Sequence, residues 1–209
     1  MTSEYWEQRY KAEGKIWGEQ PSKTAEHVLK LFQQAGVRKL LVPGSGYGRN
    51  TRLFSGAGIQ VTGIEISFEA CRLAMSYDPA TRVFNNSVLN MSFLPGKYDA
   101  LYAFNVLHLF RQTDRNIFLM QCRKYVKSQK LMFFTVFSEQ EESFGKGAEV
   151  EKNTFESKPG RPVHYFTETD LKEQLKYFDL IETGLMEDAE NHGEGPHTHI
   201  LRYICVKTR

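Results

Sequence analysis

The sequence predicts an α/β domain built on a seven-stranded, mostly parallel sheet with one reversed strand near its C-terminal end. Three observations predict it. Short apolar runs of buried-strand type alternate with segments of helical period, the pattern of a parallel sheet with crossover helices. The first run leads straight into glycines, Gly44-Ser45-Gly46-Tyr47-Gly48. The last two runs have no helical segment between them, and a connection that short makes them an antiparallel pair.

The elements follow in order. Residues 22–35, SKTAEHVLKLFQQA, place Ala25, Val28, Leu29 and Phe32 at helical spacing. Ser22 suits the N-cap of that helix and Gly36 its stop. KLLVP (39–43) reads as a buried strand, and a helix is expected over 49–57. QVTGIEI (60–66) is a strand and FEACRLAM (68–75) a helix; TRVFNNS (81–87) is a weaker strand. YDALYAFNV (98–106) and KLMFFTVF (130–137) are strands flanking a helix at 114–126. ETDLKEQLKYF (168–178) puts Leu171, Leu175 and Phe178 on one helical face. DLIETGLME (179–187) and HILRYICVK (199–207) are the final pair of strands.

At 209 residues the chain is read as a single domain, 1–209, large enough to bury a core. Residues 1–36 form an N-terminal helical cap, and 138–166 a long lid-like insertion. That polar connection, with Gly145 and Gly147 as hinges, is read as a substrate lid, with plain disorder as the alternative. His164 near its end is read as structural.

Composition narrows the partners. A formal charge of +2, with Lys and Arg scattered, gives no nucleic-acid groove and no membrane patch. Cys71, Cys122 and Cys205 form no CxxC pair and no disulfide framework, which suits a reducing compartment. No apolar run reads as a signal peptide or a membrane span. A cytoplasmic protein, monomer or homodimer, is expected, and the Asn-x-Ser triplets at Asn85 and Asn90 are chance matches.

The glycines let the backbone turn sharply and approach a ligand closely, and Glu65 ends the second strand, where an acid can accept hydrogen bonds from a ribose diol. The spacing is neither the GxGxxG of a dinucleotide fold nor a P-loop. With VPGSGYGRN, VTGIEIS and the terminal antiparallel hairpin together, the sequence resembles class I S-adenosylmethionine-dependent methyltransferases over nearly its whole length. The VPG entry, the preface YWEQRY…WGEQPS and the strand end FNVLHLF resemble the small-molecule branch of the tellurite-resistance and thiopurine-methyltransferase type.

The resemblance implies a Rossmann-like, doubly wound sheet and S-adenosyl-L-methionine as cofactor. It implies that Gly44, Ser45 and Gly46 wrap the methionine part, that Glu65 binds the ribose, and that Ile66 packs on the adenine. Ser87, Val88 and Leu89 would line the adenine pocket, and Phe104 and Asn105 would face the amine and the methyl group. Arg49, after the loop, and Trp17, in the preface, complete the expected cofactor set. Two positions depart from the family pattern: Val42 and Ser87 stand where many members carry Asp. FNVLH replaces the Pro-Pro motif of base-modifying members, which argues against DNA or RNA acceptors.

The acceptor is expected to be a small molecule offering oxygen, nitrogen, sulfur or another chalcogen. Methyl transfer from a sulfonium needs alignment and exclusion of water, and needs a base only if the nucleophile is protonated. Tyr10, Trp17 and His192 are the substrate candidates; the aromatic preface either encloses the ligand or staples the N-terminal helix to the sheet. HGEGPHTHI (192–200) follows a strand parallel to its sheet, so it lies on the ligand face. His197 and His199, two apart on a strand, face one side and with His108 form the catalytic candidates. A zinc site of three His and Glu194 is conceivable there, as is plain loop bonding shaped by Gly193, Gly195 and Pro196; no metal is expected. Two rivals remain: a catalytically silent S-adenosylmethionine-binding protein and a nicotinamide-dependent oxidoreductase.

Overall fold

The computed structural model describes residues 3–158, 160–192 and 195–209, and the side chains of all of these except 191 and 192. Among the described residues, side-chain caps begin three of the six α-helices. After α1 (Ser3–Glu13), α2 (Lys23–Gln34) starts where the Ser22 side chain accepts the Ala25 N–H. β1 (Lys39–Pro43) leads through the glycine loop into α3 (Thr51–Gly56). β2 (Gln60–Glu65) is followed by α4 (Phe68–Tyr77), capped by Ser67. β3 (Arg82–Asn85), β4 (Tyr98–Phe104), α5 (Gln112–Tyr125) and β5 (Val126–Phe137) continue the alternation.

The insertion then contributes β6 (Ala148–Glu151), β7 (Thr154–Lys158) and β8 (Arg161–His164). α6 (Glu168–Gln174), capped by Thr167, precedes the hairpin of β9 (Asp179–His192) and β10 (Gly195–Lys207).

Seven strands form the main sheet in the order β3-β2-β1-β4-β5-β10-β9. β10 runs antiparallel to both of its neighbours, and the other pairings are parallel, as the sequence predicts. Alternation along the strands builds a core on each face. Leu40, Val42, Tyr102 and Phe133 pack with Val28 and Phe32 of α2 and Phe54 of α3. Leu41, Leu101, Met132 and Phe134 pack with Phe118 and Cys122 of α5 and Leu171 of α6. Val42 is thus a core residue and does not line the cavity described below.

Two readings of the sequence need correction. The connection at 138–166 is not structureless: β6, β7 and β8 make a separate antiparallel sheet. Its polar composition masks a small apolar side, in which Phe155 pairs with Val163 and packs on Tyr165. His164, on the other side, lies 2.8 Å from Thr154 Oγ1 and 2.6 Å from Asp170 Oδ2, which ties the small sheet to α6. The final hairpin is longer than the strands expected at 179–187 and 199–207. The β9/β10 ladder runs out to the pair Gly195↔His192, so His197 and His199 are strand residues. Gly193, Glu194 and the side chain of His192 lie outside the described residues.

Candidate active site

The carboxyl ends of β1, β2, β4 and β5 open into one cavity of about 1130 Å³. Open α/β sheets bind their ligands at this edge. The cap, the insertion and the β9/β10 hairpin form its other walls. Every sequence-predicted site residue lines it except His192, whose side chain is not described.

One half of the cavity is built around the glycine loop. Gly44 has φ of 68°, and a Cβ there would lie 2.3 Å from Val106 Cγ2. Gly46 has φ of 56°, and its Cβ would lie 2.9 Å from the Tyr10 hydroxyl. Both positions therefore require glycine, for left-handed backbone and for space. Glu65 closes the loop from below. Its two oxygens accept the N–H groups of Gly46 and Ser67, each at 2.9 Å. Burial pushes its pKa above the usual carboxylate range, and the backbone N–H groups oppose that shift. Ile66, Ser87, Val88 and Leu89 continue this wall. Asn105 is held at φ of 55°, with its N–H on the backbone and side-chain oxygens of Thr135.

The cap covers this half. Tyr10 is buried, and its hydroxyl reaches the loop at Gly46, so it stands with the glycine half rather than apart from it. Trp17 stacks on Tyr47 at 6.3 Å and also lines the cavity, so both functions weighed for it are compatible. Arg49 braces the walls: it bonds Glu190 at 2.6 Å, reaches the Trp17 carbonyl at 3.4 Å, and lies over the Phe104 ring.

The other half gathers titratable groups. His108, Phe137 and His199 form a stack, with ring centroids 4.3 Å and 4.9 Å apart. Nδ1 of His108 accepts the Phe137 N–H at 3.2 Å, so the ring's hydrogen is on Nε2. Burial pushes the His108 pKa well below its ordinary value, and the ring is neutral. Nδ1 of His199 lies 3.1 Å from Glu141 Oε2, and Glu141 Oε1 accepts the Ile200 N–H. A carboxylate only accepts, so Nδ1 of His199 carries a hydrogen. Its Nε2 faces Glu190 at 3.6 Å. His197 lies against His199, with ring centroids 4.4 Å apart.

A family model described as a methyltransferase domain matches residues 16–180. The chain belongs to this methyltransferase family. No curated protein sequence matches it. Solved structures share the fold at low identity. One, from work on conversion of a disulfide bond into a thioacetal group during echinomycin biosynthesis, is 13% identical, with a TM-score of 0.76, over 99% of this chain and 93% of the other. The 1,6-didemethyltoxoflavin-N1-methyltransferase of Burkholderia thailandensis, solved with bound 1,6-didemethyltoxoflavin and S-adenosylhomocysteine, is 19% identical, with a TM-score of 0.65, over 90% and 78% of the two chains. TehB from Haemophilus influenzae is 13% identical, with a TM-score of 0.67, over 88% and 62%.

This methyltransferase uses S-adenosylmethionine, and its own residues suit that group. The cradle at Gly44 and Gly46 has no room for a side chain, Glu65 is a buried acceptor with lone pairs to spare, and Ser45 Oγ is buried without a partner. Family membership replaces the nicotinamide reading. Sequence reasoning missed Glu141, Glu190, Tyr47 and Arg161. Tyr47 was visible inside the loop itself. Glu190 becomes visible only through strand register, as the partner of His197 in the β9/β10 ladder. Glu141 is hidden in the run SEQEES, where nothing marks it from Glu139 or Glu142. Glu141, His197 and His199 offer ligand atoms within 4.8 Å of one another, a donor set able to hold a transition metal. Among the described residues no helix is long and apolar enough to cross a membrane.

Proposed function

We propose that this methyltransferase acts on a small flat acceptor and that His199 takes the proton from its nucleophile. The observation that carries this reading is the His199–Glu141 pair, whose imidazole lines the cavity while the carboxylate is buried behind it. Glu141 orients the ring through Nδ1, and Nε2, which faces the Glu190 carboxylate at 3.6 Å, would take the proton, with both carboxylates stabilising the imidazolium that forms. His108, with its hydrogen on Nε2, is a hydrogen-bond donor rather than a base. The stacked rings of His108, Phe137 and His199 give a flat wall for an aromatic body.

In the donor half, Gly44, Ser45 and Gly46 would hold the amino-acid end of S-adenosylmethionine. Glu65 would hold its ribose, with Ile66, Ser87, Val88 and Leu89 around the adenine. Phe104, Asn105 and Trp17 would border the sulfonium. When bound, the cofactor would supply an electrophilic methyl group on a sulfonium, with S-adenosylhomocysteine as the leaving group. What the chain supplies is alignment, removal of water beneath the aromatic cap, and a place for the acceptor's proton. A phenol, amine or thiol suits a site with a base, and a soft anionic chalcogen would not need it.

The test is product formation from radiolabelled S-adenosylmethionine across phenols, anilines, thiols and selenols, with wild type and His199→Ala compared. Turnover of protonated acceptors that collapses in the variant is expected. Binding of S-adenosylhomocysteine with no turnover of any acceptor would instead support a catalytically silent binding protein.

A further inference from the structure

The acceptor half holds a charge that the proposed chemistry leaves unused. β8 alternates, so Arg161, Val163 and Tyr165 face the cavity while Pro162 and His164 do not. Arg161 enters as the one long cation of that row. Its Nη1 donates to the Tyr5 hydroxyl at 2.9 Å, and its guanidinium lies over the Tyr5 ring, 5.0 Å from the centroid. Its Nε is buried and has no hydrogen-bond partner. Among the described residues no carboxylate pairs with it. The groups acting on its charge are Tyr5, Arg9, Tyr165 and His108, none of them anionic at neutral pH.

Other arginines at or near the cavity are compensated. Arg49 pairs with Glu190 and Arg9 with Glu13. A partly buried guanidinium with an orphaned N–H costs stability unless something else completes it. Its planar fork matches a carboxylate best. Lys158 is paired with Arg161 in the ladder and lines the same wall, which adds positive potential there.

We propose that Arg161 anchors a carboxylate on the methyl acceptor, so that the acceptor is an aromatic organic acid. This rests on the reading of the acceptor half given above. The acid group is held by Arg161 and Tyr5 at the insertion, and the flat body lies along the ring stack toward His199. Specificity then resides in the insertion, and the chemistry in the main sheet.

The experiment uses matched probes: 4-mercaptobenzoate, 4-hydroxybenzoate and 4-aminobenzoate, each against its carboxamide. They are titrated into the full-length protein, alone and saturated with S-adenosylhomocysteine. At least one acid is expected to bind at least about tenfold tighter than its amide, the scale of a charge-assisted hydrogen bond. Arg161→Met should erase that preference and Arg161→Lys should keep part of it, while S-adenosylhomocysteine affinity stays at the wild-type value in both. Arg161→Lys, which retains the charge, guards against simple misfolding of the methionine variant. No preference for the acid in any pair overturns the proposal, and so does a preference that survives Arg161→Met. A loss of S-adenosylhomocysteine affinity equal to the loss of acid affinity would assign Arg161 to the cofactor and overturn it too. The donor-half reading fails separately, through absence of S-adenosylhomocysteine binding, because the acids are also titrated into the protein alone.

Discussion

The two halves of the cavity are built by different means. The donor half is made of backbone: glycines in left-handed conformation, and one carboxylate bonded to two N–H groups. Apart from Tyr10 and Trp17 of the cap, it comes from strand ends and the loops that directly follow them. The acceptor half is made of side chains carried by segments far apart in sequence. His108 follows β4, Glu141 follows β5, Arg161 comes from the small sheet, and Glu190 and His199 come from the final hairpin. A backbone site tolerates little change, because its shape is its chemistry. A side-chain site can change specificity while the sheet stays the same.

If that division is right, the two halves respond differently to mutation. The largest effect is expected in turnover at His199. His199→Ala should lower kcat by about 10²–10⁴-fold, the range for loss of a positioned general base, with S-adenosylmethionine affinity intact. Glu141→Gln should lower kcat less, about tenfold, because the ring remains but its tautomer is no longer fixed. Steady-state kinetics with a turned-over acceptor decides it; equal losses in kcat and cofactor affinity would erase the division.

The counterpart in the donor half is Gly44→Ala. The added methyl meets Val106 Cγ2 at 2.3 Å and the backbone must hold φ of 68°. Strain and overpacking together are expected to cost about 2–4 kcal/mol, read as weaker cofactor binding and a lower Tm. Wild-type affinity for S-adenosylhomocysteine in this variant would show that the loop is not the cradle.

The same division explains what could be read from the sequence. The donor half was legible because its signals are local: glycines after an apolar run, and an acid at the end of the next. The reversed strand was legible because the hairpin lacks a helix between its strands. Glu141 and Glu190 were not legible, because their partners are set by strand register and by the path of a connection. The small sheet was missed because polar and charged residues outnumber apolar ones in its strands, and its apolar side, Phe155, Val163 and Tyr165, is small. Val42 shows the converse: a departure from a family pattern that is simply core packing.

A smaller effect sharpens the electrostatics of the donor half. Glu65→Ala should weaken S-adenosylmethionine binding by ~1–3 kcal/mol, the scale of lost charged hydrogen bonds. Part of that is the Gly46 and Ser67 N–H groups left without their acceptor, and Glu65→Gln, which keeps one carbonyl oxygen, should cost less. In the proposed role the ionised carboxylate would be the ribose acceptor. Its pKa is raised by burial, so wild-type affinity should fall as pH drops toward that raised value, and the fall should be absent in Glu65→Gln. Calorimetric titration at several pH values measures both. An unchanged affinity in Glu65→Ala would remove the residue from the cofactor.

The smallest expected effect concerns His108, and it tests whether the acceptor half is dry before any ligand arrives. The folded-state pKa lies well below the ordinary value, first because of burial and then because Arg161, His199 and His164 are near. In the unfolded chain the ring titrates near 6.5. Between those two values the unfolded state binds a proton that the folded state does not. The contribution of His108 is therefore fully present above pH ~6.5 and is lost as pH falls toward the lowered folded value. His108→Gln has no proton to bind, so its stability should slope less over the same window. The difference between the two slopes should be about 1 kcal/mol from pH 6.5 to 5.5, since one pKa unit is worth ~1.4 kcal/mol. Other titrating groups are common to both proteins and cancel in that difference. Urea midpoints at the two pH values suffice. Parallel slopes would mean that water reaches the ring, and a wall open to water would be a poor place to take a proton from an acceptor.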